Sequence, residues 1–136
     1  MTSKIELVCK AIRGEEVERF PVCVWFHFVT LEEKGQGLNN RRIFQKSVEG
    51  HRKYVERIHP DFVKMMSDGF FIYPSNVYSP LVSSIQELAS IESIGENHPW
   101  IQQQVEVVEA IRATFTEDIA SFYNIFSPIS YLKRWF

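Results

Sequence analysis

The chain has 136 residues, enough for one domain with a sizeable core. Hydrophobic residues make up 45% and charged residues 24%, which is the composition of a folded globular protein and excludes a disordered segment. The formal net charge of −2 excludes a general electrostatic pull toward nucleic acid or anionic membrane, and no apolar run approaches the ~18 residues of a membrane span.

In chain order, Ile5, Val8, Cys9 and Ile12 recur at i, i+3, i+4 and i+7 and predict a first helix, with Thr2 or Ser3 to cap it and Gly14 to end it. After the polar link EEVER, the run VCVWFHF (22–28) is apolar at nearly every position. It predicts a strand buried on both faces, as in a parallel sheet covered by helices. VTLEEKGQGLNN is a loop. Asn39 or Asn40 caps a long helix through about Ile58, with Ile43, Phe44, Val48, Tyr54, Val55 and Ile58 inward, and His59-Pro60 ends it.

DFVKMMSD (61–68) predicts a second short strand. Residues 69–83, aromatic and without helical period, predict a long loop over a pocket mouth. A short helix with a Ser84 to Glu87 capping box follows, then a helix from Pro99 to about Thr114 with Ile101, Val105, Val108 and Ile111 on one face. IASFYNIF (119–126) predicts a third strand, and Ser127-Pro128 opens a last helix.

Strands alternating with helices predict an α/β fold: parallel strands with flanking helices joined as right-handed βαβ units, forming a partial TIM-type barrel in a single domain over residues 1–136. A closed barrel of this kind takes about 250 residues. The chain is therefore expected to be the first part of a larger α/β fold, or a short domain that associates as a homo-oligomer to cover its parallel-strand edges.

Several chemistries are missing from the sequence. It contains no GxGxxG, GxxxxGK[ST], HExxH, GxSxG or CxxC pattern, and His27, His51, His59 and His98 do not fall at metal-ligand spacing, so neither a metal nor a cofactor is expected. The basic positions Arg41, Arg42, Lys46, Arg52, Lys53 and Arg57 spread around their helix among Glu49 and Glu56, which marks a solvated face and no nucleic-acid surface. Cys9 and Cys23, without a secretory leader before them, point to a reducing cytoplasm. The expected partner is a small-molecule substrate.

Asp68 is the leading candidate for chemistry. On a barrel strand it would lie at the C-terminal end, where catalytic groups of parallel barrels collect, although Asp68-Gly69 also suits a plain turn. His27 lies near the end of the first predicted strand, at the same mouth, where a functional imidazole is plausible and a structural core or rim histidine is the commoner case. Phe26, Phe70 and Tyr73 are further candidates for substrate contact; loop aromatics such as Tyr73 and Tyr78 also commonly pack their own loop.

RFPVCVWFHF, HPDFVKMMSDGFFIYP and VVEAIRATFTEDIASFYNIFSPISYL together resemble the N-terminal part of the uroporphyrinogen decarboxylase superfamily, over almost the whole chain. MMSDGFFIYP is similar to the family's second-strand motif, an apolar pair followed by Ser-Asp and a nearby Pro. FSPIS is similar to its strand-then-Pro-x-Thr turn, with Pro128 on the Pro and Ser130 on the Thr. The resemblance implies cofactor-free decarboxylation of the acetate side chains of a tetrapyrrole, with Asp68 as the central catalytic residue that holds pyrrole N–H groups. The family follows its first strand with substrate-binding arginines, whereas WFHFVTLEEKG has none, and a polycarboxylate needs fixed cations. The family's pocket Tyr falls on Arg134, with Tyr131 one turn earlier. The methyltransferase branch, which acts on a thiol or corrinoid partner, lacks the arginines too, and its zinc ligands come from a later part of the barrel. Porphyrinogen turnover by these 136 residues alone is accordingly expected to be absent or very weak, and a non-catalytic barrel fragment that associates is a third expectation.

Overall fold

The computed structural model describes residues 2–37, 39–68, 84, 86, 89, 92–127 and 130. Among these, three helices and a two-stranded parallel sheet make a mixed α/β fold: α1 (Lys4–Arg13), α2 (Arg41–Ile58), β1 (Phe62–Met65), α3 (Pro99–Ala113) and β2 (Ala120–Tyr123).

The caps are those the residue types demand. Ser3 Oγ accepts the Glu6 N–H at the start of α1, and Gly14 ends it at φ 71°, a left-handed turn that costs a glycine little. The buried residues of α1 are Leu7 and Val8, while Ile12 is exposed, so the helix seats on a face rotated from the Ile5–Val8–Cys9–Ile12 stripe. Asn40 caps α2 through the Arg42 and Ile43 N–H groups, and His59 closes it at φ 49°. The buried stripe of α2 runs Ile43, Phe44, Ser47, His51, Tyr54, Val55. Ile58, expected inward, is 54% exposed because the helix turns away at its left-handed end.

In α3, His98 Nδ1 accepts the Trp100 N–H and Pro99 occupies the first turn. Its buried residues are Trp100, Val107 and Ile111, whereas Val105 is exposed, so this helix too is rotated from its expected face. α2 and α3 pack on each other over a core of Phe44, Tyr54, Val55, Val63, Met65, Val107, Ile111 and Ile119. Burying each such aliphatic side chain is worth roughly 1.5–3 kcal/mol.

β1 and β2 pair in parallel, Phe62 opposite Ala120 and Met65 opposite Tyr123, with α3 carried in the crossover. Alternation sends Val63 and Met65 into the core, while Phe62 and Lys64 share the other face. There the Phe62 ring meets Phe122 edge-on at 5.6 Å, and Lys64 Nζ lies 4.6 Å over the Trp25 ring.

The run 22–28 departs from expectation. It forms no regular strand, and Val22, Val24, Trp25 and Phe26 are exposed. It nevertheless follows β1 in the same direction. Val22 is tied to Asp61 through its N–H to Oδ2 at 2.7 Å and its carbonyl from the Asp61 N–H at 3.0 Å; Trp25 meets Lys64; the Phe28 N–H reaches Asp68. Side chains hold the segment where a ladder was expected: the Val24 N–H donates to Tyr54 Oη, and Arg19 grips Asp61 with two 2.6 Å bonds. That grip pulls the Asp61 carboxyl down to about 2. The expected loop over 69–83 lies outside the described residues, as do Glu87 of the Ser84–Glu87 box and, apart from Ser130, the last helix from Pro128 onward. Among the described residues no helix is long and apolar enough to cross a membrane.

Candidate functional site

Asp68 lies three residues beyond β1, and its carboxylate is fully buried. Oδ1 stands 2.7 Å from His27 Nδ1, and Oδ2 accepts the Phe28 N–H at 3.2 Å. The Asp68 carbonyl accepts the Gly35 N–H at 3.0 Å. Three bonds thus bring the exit of β1 against residues 27–35, and the two leading candidates from the sequence meet in one hydrogen bond.

Their exposures differ completely: the His27 side chain is 50% exposed and that of Asp68 is 0%. An ionised carboxylate only accepts, so His27 Nδ1 carries the proton and Nε2 presents a lone pair. Among the described residues nothing bonds Nε2. A buried carboxylate behind an accessible imidazole fixes the ring's tautomer and orientation. Such a pair can take a proton from a ligand or deliver one. The member placed to touch a ligand is His27, while both Asp68 oxygens are already engaged.

Phe26 is exposed, with its ring edge-on to Tyr54 at 5.8 Å. Phe70 and Tyr73 lie outside the described residues, as do Pro128, Tyr131 and Arg134. Ser130 is described: its N–H donates to the Ser127 carbonyl at 2.9 Å, and the two hydroxyls are 3.0 Å apart. Among the described residues no three His, Cys, Asp or Glu side chains gather as a metal site.

One polar residue behind the pair escaped the sequence reading. His51 is wholly buried; its Nδ1–H donates to the Ser47 carbonyl at 2.7 Å, and its Nε2 accepts the Met66 N–H at 3.0 Å. Both nitrogens are satisfied only by the neutral ring. Burial pulls its pKa down to about 4, against the smaller opposing pulls of the Ser47 carbonyl and the Asp68 charge. The signal was available: position 51 is seven residues past Phe44, on the inward stripe.

Comparison with protein-family models, with curated proteins and with solved structures finds no match to this chain.

Proposed function

We propose that the chain is the N-terminal portion of a TIM-type barrel of the uroporphyrinogen decarboxylase superfamily, and that the His27–Asp68 pair is its reaction site. The observation that carries this is the meeting of His27 and Asp68 at the ends of two segments that run in the same direction. That is how groups converge at the C-terminal mouth of a parallel barrel. The motif around Asp68, MMSDGFFIYP, supplies the family.

The reaction is loss of CO₂ from an acetate side chain on a pyrrole. A proton is delivered to the pyrrole, the bond to the carboxylate carbon breaks with its electron pair passing toward the ring, and the exocyclic methylene left behind takes up a proton as the ring gives back the first, so that it ends as a methyl group. In net terms one carboxylate and one proton become CO₂ and a methyl group, with no oxidant and no cofactor. His27 handles the proton at Nε2, and Asp68 steadies the positive charge from behind it. Cys9 and Cys23, both free thiols, suit a cytoplasmic setting. The exposed Phe20, Trp25 and Phe26 suit a chain that associates with further copies.

The absence of arginine from residues 20–40 favours a second reading, methyl transfer to a thiol or corrinoid partner with His27 and Asp68 lining the pocket. A binding experiment tests the first. A porphyrin bearing acetate side chains should quench tryptophan fluorescence saturably, and His27→Ala should weaken binding about tenfold or more, the loss of one bond to a charged group. No saturable binding, with methylcobalamin bound instead, would replace decarboxylation by methyl transfer.

A further inference from the structure

Behind the pair, His51 touches neither His27 nor Asp68 by a hydrogen bond, yet it grips both segments that hold them. Its Nε2 fixes the Met66 N–H, in the short exit between the last residue of β1 and the Asp68 carboxylate. Its ring lies 4.4 Å from the Phe28 ring, and Phe28 is both the chain neighbour of His27 and the donor to Asp68 Oδ2. Its Nδ1–H anchors the imidazole to α2 through Ser47. Gly50, next along α2, has no side chain, and the Phe28 ring occupies the space that one would take.

We propose that His51 is a positioning residue that sets the His27–Asp68 hydrogen bond. The proposal rests on the reading of that pair as the reaction site. A buried neutral imidazole suits the task because it offers one donor and one acceptor at fixed separation on a rigid ring. An apolar side chain of similar size would leave the Met66 N–H buried without an acceptor, and the β1 exit would move to find one.

The test follows the His27 Nδ1–H proton by NMR in protein labelled with ¹⁵N-histidine and free of ligand. In the native chain this proton is expected as a slowly exchanging low-field signal. His51→Leu should lose it while the helical circular dichroism is kept, and His51→Gln, which restores an acceptor, should recover it. An unchanged signal in a folded His51→Leu protein would overturn the proposal. Should that variant fail to fold, Phe28→Leu keeps the backbone N–H and removes only the ring against His51: loss of the signal supports the proposal and an unchanged signal overturns it. Because the readout is a bond in the unliganded protein, failure to bind a tetrapyrrole would sink the proposed function without touching this result.

Discussion

His27 Nδ1 and Asp68 Oδ1 stand 2.7 Å apart, one side chain half open to solvent and the other fully closed from it. The closed member fixes the open one. Asp68→Asn should uncouple them. The carboxylate accepts from both His27 and the Phe28 N–H, and an amide has one oxygen for two donors. With its oxygen on Phe28, its NH₂ faces His27 Nδ1 and forces the proton to Nε2. Turnover at the proposed reaction site should fall on the order of 10²–10⁴-fold, with circular dichroism unchanged; unaffected turnover would return Asp68 to a turn role.

Gly50 gives a packing prediction. Alanine in a helix interior normally gains about 1 kcal/mol over glycine. Here the added Cβ would stand 2.6 Å from Phe28 Cβ and closer still to its ring. Gly50→Ala should therefore destabilise, by roughly 1–3 kcal/mol, read from the urea midpoint at constant slope. A stabilised variant would mean that Phe28 does not rest on α2.

Much of the fold was legible because local chemistry decides it. Ser3, Gly14 and Asn40 cap their helices by side-chain or backbone geometry that any similar context would require. β1 and β2 were legible as short apolar runs between helical patterns. The run 22–28 was misread because apolar continuity signals burial on both faces. Its position is set instead by distant partners, Asp61, Tyr54 and Asp68, which lie 30–41 positions further along the chain. The sequence put His27 and Asp68 at one mouth by giving each a strand end, but only Asp68 follows a strand; His27 is brought to it by its own bond and that of the Phe28 N–H. His51 was passed over because a histidine among basic residues reads as solvated, although its position in the stripe places it inside.

Buried neutral His51 predicts an acid-sensitive fold. Its pKa falls from 6.5 to about 4 on folding, so the unfolded chain binds the proton more readily. The stability this contributes is fully present above about 6.5 and is lost as pH falls toward about 4, on the order of 3 kcal/mol in all. Urea midpoints across that range should drop less in His51→Gln than in the native chain. Parallel curves for the two would show that His51 is not held neutral.

The apolar surface of residues 20–26 predicts association. Phe20, Val22, Val24, Trp25 and Phe26 are all exposed, large apolar side chains of the kind that interaction surfaces cover. Sedimentation velocity should show a dimer or larger species whose share grows with concentration. A clean monomer throughout would mean that the surface stays open.

The His27 ring nitrogens report most directly on the proposed site. In a titration of ¹⁵N-histidine-labelled protein with an acetate-bearing porphyrin, the His27 Nε2 signal should shift saturably, while the Nδ1–H bond to Asp68 persists. Saturable binding that leaves the His27 signals unmoved would contradict the assignment and place the ligand elsewhere.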